Sequence, residues 1–412
     1  MVAATERDAL ALLSAQAVRE RAHMMLDIGL RDGLTHFRVD LNRMDAAAAA
    51  VLATIHKNYP SLQIPFHARW RHFAIDGEDR WARIADGVKW PDPAARARAE
   101  FDLAIVSVLL DAGAGAPWRY RDSASGKAIG RSEGLAIASL DMFASGAFSG
   151  DARDPYRVDA EKLAQFSVAA LERGFQASTE NPLVGLEGRA DLLRRLGALV
   201  AGRRQIFGSS DTPRPGGLFD HIAARAHNGA IAAPVTLHEG LLQLGAIWPS
   251  RLTLADIPLG DCWKHPAIKT DDATSGLVPL HKLSQWLSYS LIEPMQRGGL
   301  TVTDIDGLTG LAEYRNGGLF VDLGVLALRD AADAERLHEV DSILVVEWRA
   351  LTVALLDRLA DIIRARLKRD ATSLPLASLL EGGTWAAGRA AAYERRADGS
   401  PPVRIISDGT VF

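Results

Sequence analysis

VPLHKLSQWLSYSLIEPM at residues 278–295, TVTDIDGLTGLAEYRNGGLFVDLGVLAL at 301–328 and VDSILVVEWRALTVALL at 340–356 decide how this chain folds. Apolar residues recur there at helical spacing. Carboxylates, one lysine and two arginines are set into that apolar pattern. A buried charge costs several kcal/mol unless it is paired or used, so these residues need partners or a task.

Outward from this core the helical signal continues. Residues 6–29 place Leu10, Leu13, Val18 and Met25 on one helical face. A second helix is expected from Asp45 as N-cap to Pro60. Asp92-Pro93 opens a strong helix that ends at Gly113. A turn at residues 123–130 leads into a helix ending at Gly146, and two more helices span 159–174 and 187–204. The second carries Arg189, Arg194, Arg195, Arg203 and Arg204, read as a solvated face in preference to a nucleic-acid patch. SSDTPRPGG at 209–217 is a loop, either a lid or a boundary, and four further helices follow it. Residues 61–92 mix Trp70, His72, Phe73, Trp81 and Trp90 with charges and prolines and read as loop and short helix, with His67 and His72 flanking Trp70 without a companion ligand set. PPVRIISDGTVF at the C-terminus alternates weakly and reads as a short strand. Strands do not alternate with helices, which argues against a parallel-sheet fold. The expectation is a mainly α, multi-helix protein with a few short strands. Residues 1–150 would form an N-terminal helical region and 151–412 the region carrying the site, or the two would be one continuous domain.

Bulk properties narrow the function. The chain has 412 residues, 48% hydrophobic and 24% charged, as in an ordinary globular protein. A net charge of −4 argues against nucleic acid as the main partner. One cysteine, Cys262, permits no internal disulfide and no cysteine-rich zinc site. No apolar run is long enough to span a membrane, and the N-terminus lacks a signal-peptide layout, so a cytoplasmic location is expected.

The chemistry-bearing candidates come next. The helix around Glu313 is expected to start at Asp306 and stop at Asn316-Gly317, which puts Glu313 near its negative end. An exposed glutamate in a short helix fits equally well. Glu347 has Ile343, Leu344, Ala350 and Leu351 on its face, so this carboxylate should be buried. Arg349 does not share that face, and any partner must come from elsewhere; a structural ion pair is the competing role. Asp304 and Asp306 precede a helix and suit N-capping. Lys282 opens an apolar helix, where it could hold a phosphate or simply extend its amine to solvent. Cys262 with His265 would need converging side chains to act as a nucleophile pair. His238-Glu239 lacks the second histidine of a zinc helix, and no glycine-rich phosphate loop follows a strand. No metal site and no cofactor are expected.

At these residues two resemblances arise. Lys282 with Gln285, Asp304 with Asp306, Ala312 through Arg315, Gly324 with Leu326, and Glu347 with Arg349 resemble the motifs of the queuosine salvage proteins, which are queuosine 5′-phosphate N-glycosylases. GDCWKH, AEYRNGG and the terminal DGTVF resemble, over the whole length, a fungal and bacterial uracil-catabolism family long filed as a domain of unknown function. Both families are similar in outline to helix–hairpin–helix DNA glycosylases, and here the hairpin glycine Gly324 precedes Glu347 by 23 positions. Two departures from the salvage motif argue against queuosine itself as substrate. Glu313 stands where that family has aspartate, and Asn316-Gly317-Gly318 replaces a proline-containing stretch.

The resemblance implies an N-glycosidase of uracil catabolism that cuts the ribose–urea bond of ribosylurea or its phosphate. Glu313 would lie beneath the sugar or activate water, with Glu347 as the alternative. Asp304 or Asp306 would bind ribose hydroxyls. Lys282, Arg315 and Arg349 would hold a 5′-phosphate or pair the carboxylates, and Tyr314 or Trp348 would pack on the planar leaving group. The expected partner is a small ribosyl molecule, with neither nucleic acid nor membrane. The competing functions are a non-catalytic binder of a nucleotide-like ligand, a nucleic-acid glycosylase and a ureido amidohydrolase.

Overall fold

A computed structural model describes residues 4–111, 113–208, 212–248 and 252–406. The terminal DGTVF motif and residues 209–211 lie outside these. Among the described residues the fold is mainly α, and strands pair only two by two. No helix among them is long and apolar enough to cross a membrane.

The spine is the helix Ile343–Leu367, 25 residues long. Ser342 starts it by accepting the Val345 N–H at 3.3 Å. From Leu344 to Leu356 every residue is buried, because neighbours cover it on all sides. The helices Ala15–Leu30, Met44–Asn58 and Tyr314–Asp322 pack against it. A second layer is the helix Pro93–Leu109, laid against Lys282–Arg297. Asp92 caps the former at the Ala95 N–H, 2.7 Å away, with Pro93 in the first helical turn as its sequence demands. The main apolar cluster draws on residues from Leu13 to Val403.

Several boundaries differ from expectation. The helix foreseen over 6–29 is broken at Ser14, whose hydroxyl caps Ala15–Leu30 at Ala17 N. Asp45 lies inside the first turn of Met44–Asn58, and Arg43 takes the cap position. Residues 159–174 form two short helices, Ala160–Ala164 and Val168–Gly174. Arg189 is not on a solvated face: it is buried and donates to the Leu110 and Gly113 carbonyls. Of the 209–217 loop, Pro215–Gly217 packs on Pro93–Leu109, and Arg214 pairs with the buried Asp102 at 2.5 Å. Gly324 follows Tyr314–Asp322 at φ +79°, and Leu326–Leu328 pairs antiparallel with Phe37–Val39. The C-terminal strand exists as Arg404–Ile406, parallel to Leu337–Glu339.

Candidate active site

A cavity of about 470 Å³ opens where several parts of the chain meet. Glu313, Tyr314 and Arg315 enter at the start of Tyr314–Asp322, and Lys282 with Trp286 from the first turns of Lys282–Arg297. His67 and His72 come from the 61–92 segment, and Asp111 from the end of Pro93–Leu109. Residues 398–401 close one side.

Glu313 is the N-cap of Tyr314–Asp322, and this reverses the expected placement. One carboxylate oxygen accepts the Arg315 N–H at 2.7 Å and the other the Asn316 N–H at 2.6 Å. The carboxylate therefore faces the positive end of the helix dipole. Asn316-Gly317-Gly318 looks like a helix stop but lies within the helix, because close packing demands small residues there. A Cβ on Gly317 would sit 2.7 Å from Trp348 Nε1. Across the other face, a Cβ on Gly388 of Trp385–Arg395 would sit 2.1 Å from the Arg315 carbonyl oxygen. Glu313 is only 8% exposed, and burial pushes its pKa up against the two backbone bonds and the Lys282 charge.

Lys282 supplies the opposite charge. Its amine makes no hydrogen bond or ion pair among the described residues and lies 5.7 Å from the centre of the Trp286 ring. Burial lowers its pKa, while Glu313 and Asp111 act to raise it. Each free oxygen lone pair of Glu313 and the Lys282 ammonium are thus available to a polar ligand.

A buried ion pair fixes both groups. Arg349 makes a bidentate pair with Asp261, both contacts at 2.8 Å. Asp261 Oδ2 accepts the Lys282 N–H at 2.9 Å, and Arg349 Nε donates to the Ala312 carbonyl at 3.2 Å. One pair therefore ties the start of the Lys282 helix to the residue before Glu313. Burial opposes the Asp261 charge, but Arg349 and the hydrogen bonds outweigh it and hold its pKa down at about 2.

The other candidates lie elsewhere. Glu347 is fully buried away from the cavity; its oxygens accept the Thr35 and His36 N–H groups at 2.9 Å, and His265 Nε2 lies at 3.3 Å. Asp306 accepts the Leu376 N–H at 2.6 Å and pairs with Arg364. Asp304 is exposed, in left-handed backbone at φ 49°. Trp348 is buried against Gly317. Tyr314 and Arg315 do line the cavity, and Arg315 Nη1 donates to the Gly399 carbonyl at 2.7 Å, which secures the 398–401 segment. Cys262 is buried, and burial pushes its thiol pKa up. His265 is engaged near Glu347, so the pair has no nucleophilic geometry. Among the described residues no group of three or more His, Cys, Asp or Glu is placed to hold a metal.

Sequence reasoning missed several lining residues. Asp111 pairs with the buried Arg69 at 2.9 Å and accepts from Ser132 at 2.7 Å. Arg131, at the N-terminus of Arg131–Ala144, and Trp385 also reach the cavity. His67 and His72 were noted only as flanking Trp70; the aromatic density of 61–92 was the one signal pointing to them.

Comparison with known proteins agrees with the whole-length resemblance. The family model described as "Protein of unknown function (DUF1688)" matches residues 11–412, and the chain belongs to that family. It is 37% identical to "Uracil catabolism protein 4" of Lachancea kluyveri, over 97% of this chain and 98% of the relative. It is 38% identical to "Protein urg3" of Schizosaccharomyces pombe, again over 97% of this chain and 98% of the relative.

Proposed function

We propose that this protein is an N-glycosidase of uracil catabolism that hydrolyses the ribose–urea bond of ribosylurea or its 5′-phosphate. The observation that carries the reading is the buried Glu313 carboxylate facing a cavity of about 470 Å³ that it shares with the Lys282 amine, which makes no hydrogen bond or ion pair among the described residues. That volume suits a small molecule. The name of the Lachancea kluyveri relative supports the pathway, and the motif resemblance to ribosyl N-glycosylases supports the bond type.

The C1′–N bond breaks with its electron pair going to the urea nitrogen, and positive charge builds on the sugar. Glu313 stabilises that charge and takes a proton from the attacking water, whose oxygen bonds C1′. Lys282 holds an anionic or hydroxyl part of the substrate, and Trp286, Tyr314 and Trp385 provide the aromatic walls.

The test is to incubate the protein with ribosylurea, with and without a 5′-phosphate, and follow urea and free sugar by mass spectrometry. Stoichiometric release is expected. Glu313→Gln should lower it by about 10²–10⁴-fold, while the amide oxygen retains part of the helix cap. No release from either compound across a broad pH range would overturn the reading. One observation favours a second function, a non-catalytic binder: both Glu313 oxygens already serve a helix cap. Tight binding of a nucleotide-like ligand without turnover would establish it.

A further inference from the structure

His67 reaches the same cavity from the segment that precedes the short helix Arg69–Phe73. Its Nδ1 lies 2.8 Å from Glu381 Oε2, and its backbone N–H is held by the Ala377 carbonyl at 2.9 Å. The ring stacks on Trp286, with centroids 6.3 Å apart and planes 27° apart. Glu381 sits in a single π-helical turn, Leu380–Thr384, whose Gly382 and Gly383 face Ile64, Ile55 and Val51. Such widened turns recur at functional sites. An ionised carboxylate only accepts, so the Glu381 contact places a proton on Nδ1. Nε2 then has no protein partner among the described residues.

Urea leaves poorly as an anion, so the departing nitrogen needs a proton. The other lining groups suit this less well. Burial, reinforced by the Arg69 charge, drives the His72 pKa down to about 3, so that ring is neutral and has no proton to give. Asp111 is occupied by Arg69 and Ser132. The Lys282 amine has no hydrogen bond among the described residues to orient it. An imidazole held by a carboxylate is the usual proton carrier near neutrality.

We propose that His67, oriented by Glu381, is the general acid that protonates the departing nitrogen; the assignment rests on the glycosidase reading. The acting form is the imidazolium, with one proton on Nδ1 toward Glu381 and a second on Nε2. As the C1′–N bond breaks, that Nε2 proton passes to the urea nitrogen, which also takes the bond's electron pair, and the ring is left neutral. Water supplies the oxygen now on C1′, and its proton goes to Glu313. Solvent returns that proton from Glu313 to His67, and the sum is one water consumed and one urea released. Glu381 stays ionised and is a positioning residue.

The experiment compares wild type, His67→Asn, Glu381→Gln and Glu313→Gln on two substrates, with a thermal melt of each variant. Ribosylurea needs an acid; p-nitrophenyl riboside does not, because nitrophenolate leaves unprotonated at neutral pH. His67→Asn should lose about 10²–10³-fold on ribosylurea but less than about tenfold on the nitrophenyl compound. Glu381→Gln should show the same selectivity to a smaller degree, and Glu313→Gln should lose on both. Equal losses of His67→Asn on both substrates, or no loss on ribosylurea, would overturn the acid role and leave the glycosidase reading standing. A wild type inert on both overturns that reading and the proposal with it. If wild type accepts only ribosylurea, His67→Gly decides: activity restored by added imidazole supports the acid role, and none restored overturns it.

Discussion

Glu313 and Lys282 push each other's titration in opposite directions to burial. Desolvation raises the carboxyl and lowers the amine, while each charge favours the other. If turnover needs ionised Glu313, kcat/KM for urea release should fall on the acid side, with a limb above the ordinary carboxylate range. Lys282→Met removes a charge that favours the carboxylate, so that limb should move to higher pH. A limb that stays in place would separate the two groups. The same shift bears on stability. Folding raises the Glu313 pKa, so its contribution is present below the unfolded value and is lost as pH rises through the folded one. Helical spacing made Glu313 a candidate residue, but its exact position depended on where a helix begins, and local sequence misplaced that start.

At the scale of elements, the misplacement has a steric cause. Gly317 and Gly318 are helix stops by propensity, yet they continue a helix: a Cβ on Gly317 would press on Thr352 and Trp348, one on Gly318 would sit 3.2 Å from Pro402, and the helix Trp385–Arg395 crosses close by. Gly388 is the tightest point of that crossing. Gly388→Ala should destabilise the fold by about 1–3 kcal/mol, seen as a lower midpoint in urea unfolding. Because the displaced atom is the carbonyl oxygen of Arg315, whose own N–H is one of the two donors to the Glu313 carboxylate, turnover should fall as well. An unchanged midpoint would mean that the helices separate at little cost. Helices with strong caps, such as Pro93–Leu109 behind Asp92-Pro93, were legible because their signals are local. The break at Ser14 was hidden because apolar periodicity runs across it.

Across the whole molecule, the buried charges divide into two tasks. Arg349 with Asp261 joins the two halves of the cavity's polar machinery. Glu347 anchors the loop before Phe37–Val39 to the central helix. Glu347→Gln keeps one acceptor oxygen, and a loss of about 1–3 kcal/mol is expected in a thermal melt. Turnover measured well below the melting temperature should stay within a few-fold of wild type. A loss matching that of Glu313→Gln would return Glu347 to the chemistry.

The mainly α class, the cap at Asp92 and the burial of Glu347 were determined by the sequence itself. Each follows from periodicity, from a local hydrogen bond or from the cost of placing a charge on an apolar face. Only the tertiary structure decided which buried charges line the cavity and which are bonded elsewhere. It alone brought His67, Glu381, Asp111 and Asp261 together with Glu313 and Lys282 from separate parts of the chain. The physical reason is that periodicity shows which way a side chain points, whereas a partner's identity depends on how distant helices pack. That packing is set by volume and close approach over the entire core.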